Sequence, residues 1–290
     1  MIEPLISIVL PTHNGSHYVE DSIRSCISQS YKNWELIIVD DASTDDTPMK
    51  IATFTDTRVR IVRHQTNRRL PGALNTGFSL AGGEYLTWTS DDNYYRPAAL
   101  QEMVAFLREH PNVGVVYTDY SIVDERGAVI YNISVSDPEE LIHGNCVGSS
   151  FLYRREVQVK LGGYSEDMFL AEDYDFWVRA SISFCLAPLH KDLYCHRFHP
   201  GSLTSRYTRE RVLAVVEKSL ARNLGKMSWV SPSMKSEVFR RLAREAARRG
   251  EKGSVVKYML HSAFSSPPEF LVFAKAYLGR RGFLLSRSRR

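Results

Sequence analysis

Apolar and polar positions follow two alternating periods along the N-terminal half of the chain. Leu5 to Leu10 is a continuous β-rich run that ends in the turn cluster Pro11-Thr12-His13-Asn14-Gly15, which predicts a buried strand. Val19, Ile23, Cys26 and Ile27 then recur at helical spacing, with Ser16 as the expected N-cap and Glu20 and Asp21 in the first turn. Trp34 to Val39 is a second strand, followed by "DDASTDDTP", where Thr47 is expected to cap a helix and Pro48 to open it. Val59 to Val62 is a third strand. Leu74, Phe78 and Ala81 line a short helix closed by Gly82-Gly83, and Glu84 to Thr89 is a fourth strand. After Pro97, residues Leu100, Met103, Val104 and Leu107 form one helical stripe up to Pro111, and Val113 to Tyr117 returns to the sheet. Such βα repeats predict an α/β fold, Rossmann-like, with a mostly parallel central sheet flanked by helices. Ligands then belong beyond the carboxyl ends of the strands.

Two of those ends carry paired carboxylates, Asp40-Asp41 and Asp91-Asp92. Like charges gathered in one crevice raise each other's pKa unless a cation joins them. A hard divalent ion takes oxygen ligands, keeps few protein carboxylates and leaves positions open for phosphate oxygens. Asp91 and Asp92 therefore fit a Mg or Mn site that holds a diphosphate. For an isolated pair, a polar turn before the Pro97 helix is the plainer explanation.

Composition narrows the class. The chain has 290 residues, 43% of them apolar, enough for a large core and a second region. The apolar runs are too short to cross a bilayer, and the opening MIEPLISIVL reads as a strand rather than a signal segment. Cys26, Cys146, Cys185 and Cys195 form no CxxC pair and no tight metal spacing, so reduced thiols in small buried roles and a cytoplasmic setting are expected. The net charge of +4 conceals a division: residues 207–290 hold 19 Lys and Arg against 6 Asp and Glu, whereas residues 1–206 hold 18 against 27.

Three segments, in order, carry a family likeness: "SIVLPTHNGSHYVEDSIRSCISQSYKNWELIIVDDASTDDT", "ALNTGFSLAGGEYLTWTSDDN" and "LGGYSEDMFLAEDYDFWVRA". Residues 6 to about 206 resemble the inverting GT-A-fold glycosyltransferases of family 2, which include spore-coat and bacterial polysaccharide transferases. The resemblance implies a nucleotide-sugar donor, UDP-linked, and a glycan or lipid-linked glycan acceptor. It implies that Asp41, with Asp40 beside it, contacts the base, and that Pro11, Thr12 and His13 form the first nucleotide-contacting turn. Arg69 falls where relatives place a residue that contacts nucleotide or diphosphate, although the crowding of Arg63, Arg68 and Arg69 leaves a solvated arginine equally open. Ser90-Asp91-Asp92 stands for the family's DXD signature, with Asp92 as the direct ligand of Mn or Mg and Asp91 nearer the ribose or sugar. Asp173 matches the general base that takes the acceptor's proton. Its competing role is to favour a helix N-terminus. His199 resembles a downstream position near diphosphate or metal, and is otherwise a loop histidine.

Gly148, Ser149 and Ser150 are candidates for the acceptor side or a tight turn, and Trp177 reads as core. The QxxRW sequence of processive members is not found, so addition of one sugar is expected. The sugar and the acceptor would depend on residues of about 119 to 165. A nucleotidyltransferase would instead show a glycine-rich phosphate loop after the first strand, which "PTHNGSHY" is not. A nucleotide-sugar-binding module without transfer is the other alternative.

Residues 1–206 are thus expected to form the transferase domain and residues 207–290 a basic helical appendage. The end, "PPEFLVFAKAYLGRRGFLLSRSRR", mixes apolar groups with arginines. That composition suits a membrane interface, which would place the protein on the inner face of the plasma membrane, and equally suits packing on the body or on a second subunit. No nucleic-acid recognition module is visible.

Overall fold

The computed structural model describes residues 3–275. Their contacts divide the chain into two compact units, one ending at Val216 and the other beginning at Glu217.

In the first unit the elements run β1 (Ile6–Thr12), α1 (Val19–Ile27), β2 (Trp34–Asp40), α2 (Thr47–Ile51), β3 (Val59–Arg63), α3 (Arg69–Leu80), β4 (Tyr85–Trp88), β5 (Tyr94–Tyr95), α4 (Ala99–Glu109) and β6 (Val113–Val123). They continue with β7 (Val129–Ile133), β8 (Phe151–Arg154), α5 (Arg155–Leu161), α6 (Glu172–Ala180), β9 (Cys185–Arg197) and α7 (Arg209–Asn223), which crosses the division. The strands form one curled sheet in the order β3-β2-β1-β4-β8-β6-β9-β5, with β7 on β6. Its long ladders, β1 with β2, β2 with β3 and β6 with β9, are parallel. The antiparallel contacts are shorter, and β8 meets β4 through only two residue pairs.

Every residue of β1 is buried, as the continuous apolar run requires. Ile6, Ile8 and Leu10 pack with Leu36, Ile38, Ile23 and Leu100 in the main core. Helix α3 comes so close to β1 that a Cβ at Gly77 would lie 2.3 Å from Val9 Cγ1, so only glycine fits there. Trp177 is fully buried, its ring 4.6 Å from that of Phe151, which makes it a core residue as expected.

Several local details differ from the sequence reading. Ser16 does not cap α1, because its amide is turned to the Asp45 carboxylate and the Gly15 carbonyl receives the Tyr18 and Val19 amides instead. Thr47 is the first residue of α2, and Asp45 satisfies both its amide and its hydroxyl. The cysteines are free, but only Cys26 and Cys195 are buried, while Cys146 is half-buried and Cys185 exposed.

In the second unit α8 (Pro232–Arg248) begins at a capping Ser231 whose hydroxyl accepts from the Met234 amide. Helix α9 (Lys252–Ser265) packs on it, and a buried pair of hydroxyls, Ser236 and Ser262, bonds across the contact at 2.8 Å. Residues 267–275 are helical, and the arginine-rich end of the chain lies outside the described residues. Among the described residues no helix is long and apolar enough to cross a membrane.

Candidate functional site

The carboxyl ends of β1, β2 and β4 open into a cavity of about 660 Å³, a size suited to a small ligand. Its wall includes Pro11, Thr12, His13, Asp41, Arg69, Asp91, Asp92 and His199. Asp40 is not part of that wall. It is fully buried as the last residue of β2, where it accepts from the Ser43 amide at 2.9 Å and pairs with Arg63 Nε at 3.2 Å. Successive residues of a strand face opposite ways, so the two neighbouring aspartates have different environments, and contact of Asp40 with a ligand is corrected to support of the turn.

Asp41 is held from two sides. Its Oδ1 accepts from the Arg68 amide at 2.8 Å and lies 2.6 Å from His64 Nδ1, while His64 Nε2 lies 3.0 Å from the Thr76 hydroxyl. The side chains of Asp41 and His64 are nearly enclosed, 4% and 9% exposed. His13 Nδ1 sits 2.8 Å from the Asp41 carbonyl and so joins the loops after β1 and β2. Among the described residues, the non-glycine ones in the left-handed region are Asn14, Ala42, Arg69 and Leu170. Asn14 and Arg69 line the cavity, and Ala42 and Leu170 directly follow the lining residues Asp41 and Phe169. Strain of this kind concentrates where a loop's shape matters. The Arg69 guanidinium stands 5.2 Å over the Phe169 ring.

The second carboxylate pair is tightly enclosed. Thr12 Oγ1 donates to Asp91 Oδ2, and a Cβ at Gly15 would fall 2.0 Å from that oxygen. Burial first, and then the Asp92 charge, push the Asp91 carboxyl up to about 7. Asp92 Oδ2 is 3.0 Å from His199 Nε2, whereas Asp92 Oδ1 is buried without a partner among the described residues. Such an orphaned oxygen has a cost unless something fills its coordination. Among the described residues no three His, Cys, Asp or Glu converge as an all-protein metal cage. The donor set of Asp92 and His199, with Asp91 adjacent, fits a hard ion that takes its remaining ligands from a substrate.

Behind this pair, buried Arg197 lies 4.2 Å over the Tyr18 ring and bonds Asp21, and its amide donates to Asn93. Tyr18 in turn meets His199 edge-on at 4.9 Å. Burial lowers the His196 pKa, and its Nδ1 is 3.1 Å from the Ser149 hydroxyl.

Asp173 stands on the first turn of α6, four residues beyond Phe169, and does not line the cavity itself. Its Oδ1 accepts from the Tyr174 amide at 2.6 Å and its Oδ2 from Asn145 Nδ2 at 2.9 Å. Asn145 Oδ1 meanwhile accepts from the Val147 and Gly148 amides. Burial raises the Asp173 pKa. Neighbouring Glu172 is pushed up to about 8 by burial and then by the Asp173 charge. Hydrogen bonds from the Tyr174 amide and Asn145 favour the ionised form of Asp173 and oppose the rise in its own pKa.

Sequence reasoning missed His64, Asn145, His196 and Arg197. His64 could have been found, since it directly follows β3 just as Asp41 follows β2. A lone loop asparagine such as Asn145 gives no such signal.

The family model for glycosyl transferase family 2 matches residues 7–171. The chain belongs to glycosyl transferase family 2. This family 2 chain is 36% identical over 186 residues to the putative glycosyltransferase EpsE of Bacillus subtilis (strain 168), covering 61% of the chain and 66% of EpsE. It is 25% identical over 251 residues to the Escherichia coli UDP-Glc:alpha-D-GlcNAc-diphosphoundecaprenol beta-1,3-glucosyltransferase WfgD, covering 82% of the chain and 97% of WfgD. The match spans about a third, 34%, of an uncharacterized glycosyltransferase of Rickettsia felis. In fold, the family 2 chain is similar to S. aureus TarS 1–349 in complex with UDP-GlcNAc, with a TM-score of 0.64 at 17% identity over 89% of this chain and 91% of TarS. It is also similar to the mannosyltransferase PcManGT from Pyrobaculum calidifontis in complex with GDP-Man and Mn2+, with a TM-score of 0.56 at 18% identity over 99% and 80%. The fold is therefore GT-A.

Proposed function

We propose that the protein transfers one sugar, with inversion, from a UDP-linked donor to a hydroxyl of a glycan or lipid-linked glycan at the cytoplasmic side of the cell membrane. The observation that carries this reading is the buried Asp92 oxygen that has no partner among the described residues, in the cavity that Asp41 also lines. The family assignment supports it, as do the nucleotide-sugar complexes of TarS and PcManGT and the lipid-linked acceptor in the name of WfgD.

Asp41, with one oxygen saturated by His64 and Arg68, presents the other to a base. Pro11, Thr12 and His13 form the floor beside it, and Arg69 and the ridge around Phe169 face the diphosphate. Asp92 and His199, with Asp91 beside them, hold Mn2+ or Mg2+. When bound, that ion supplies Lewis-acid stabilisation of the departing diphosphate. Asp173 takes the proton from the acceptor hydroxyl, and Asn145 and the Tyr174 amide fix its carboxylate for that transfer. Gly148 and Ser149, on the loop that carries Asn145, line the acceptor side, whereas Ser150 is fully buried and accepts from the Thr118 hydroxyl.

The test is a pair of variants. Asp92→Asn is expected to lose the Mn-dependent rise in melting temperature that UDP gives the parent. Asp173→Asn is expected to keep that rise and to lose transfer by about 10²–10⁴-fold. Transfer at the parent rate by Asp173→Asn removes the base assignment. A parent protein that binds UDP with metal and transfers to no acceptor is instead a binding module.

A further inference from the structure

Helix α9 is apolar on two sides, and only one of them is covered by the described residues. Its inner side meets α8, where Ser262 bonds Ser236 and His261 stacks on Phe239 at 5.0 Å. On the outer side Val256, Leu260 and Phe264 follow one another at four-residue spacing and are 60%, 54% and 83% exposed. Lys252 begins the same row and exposed Lys257 flanks it. The following helical residues add exposed Leu271 and Val272. A helix that is apolar on both sides is ordinarily covered on both, and a contiguous exposed apolar row marks an interaction surface.

The charge around this row selects what covers it. From Glu217 onward the chain has 17 Lys and Arg against 5 Asp and Glu, a net +12. Two copies meeting through this unit would bring like charges together, which opposes self-association. An anionic surface with an apolar interior satisfies both halves of the pattern, because the side chains enter the acyl boundary and the cations meet the headgroups. No described helix is long enough to span, so the contact lies in the plane of the interface.

We propose that the outer face of α9, centred on Val256, Leu260 and Phe264 and flanked by Lys252 and Lys257, docks on anionic lipid headgroups. This surface belongs to the second unit and stands independently of the donor cavity and its chemistry.

The experiment is co-sedimentation of the full chain with phosphatidylcholine vesicles, with and without phosphatidylglycerol. The parent is expected to sediment with the anionic vesicles and not with the neutral ones, and to be released progressively as salt is raised. The triple variant V256S/L260S/F264S is expected to lower the bound fraction at least about tenfold, with circular dichroism and melting temperature unchanged because the three side chains are exposed. The proposal is overturned if the parent sediments with neither vesicle or equally with both, or if the variant binds like the parent. It is also overturned if light scattering finds a dimeric parent and a monomeric variant, since the row is then a subunit contact.

Discussion

Glu172→Gln is expected to stabilise the protein at alkaline pH and to change it little at pH 5. Glu172 is 4% exposed and its pKa rises from 4.5 to about 8. The folded state thus retains a proton that the unfolded chain has released, so this stabilisation is complete below the ordinary carboxyl range and is lost as pH climbs through about 8. At 1.36 kcal/mol per unit, a shift from 4.5 to about 8 gives an upper limit of about 5 kcal/mol. We expect about 2–3 kcal/mol, because relaxation and water entry around the ionised pair reduce the burial penalty. Glutamine keeps an oxygen for the Leu170 amide and cannot ionise. For a unit of this size the gain corresponds to a melting temperature higher by about 4–12 °C than the parent at pH 9. Thermal melts of both proteins from pH 5 to 9 measure it. Curves that stay parallel over that range refute the reasoning, since Glu172 would then not titrate differently in the two states.

Two further perturbations probe the groups that hold Asp173 and Asp41. Asn145→Ala removes a hydrogen bond that favours ionised Asp173, so the acid limb of the pH–rate profile is expected to move upward and kcat to fall about tenfold, with donor KM unchanged; an unmoved limb separates Asn145 from the base. His64→Ala leaves enclosed Asp41 with one donor fewer, which is expected to cost about 1–3 kcal/mol of stability and to weaken UDP binding about tenfold. Calorimetric titration with UDP checks this, and unchanged affinity in a destabilised variant means that Asp41 does not read the base.

The first half of the fold was legible because strands β1 and β2 are buried on both faces and so appear as nearly continuous apolar runs, broken only by Ser7 in Ile6 to Leu10 and unbroken in Leu36 to Val39. Beyond Tyr117 that cue disappears. Strand β7 is exposed at four of its five positions, and β9 opens on the half-polar CLAPLHKD, held by its ladder to β6 rather than by apolar burial. Within the site, motif position singled out Asp41, Asp91 and Asp92, which line one cavity, and Asp173, which does not, while adjacency in sequence concealed that Asp40 is fully buried beside the cavity-lining Asp41. His64 and Asn145 escaped because each acts through another side chain, a relation that only three-dimensional proximity exposes.

The two-pair junction between β4 and β8, where Tyr85 meets Arg154 and Leu86 meets Tyr153, is a natural seam. On one side lies the unbroken parallel ladder β3-β2-β1-β4, which ends in Asp41 and Asp92; on the other lies the chain that supplies Asn145 and Asp173. Under the proposed roles, a chimaera joined at this seam would exchange the acceptor-facing portion together with Phe169 and His199, so a graft has to restore the histidine beside Asp92 for the donor grip to survive.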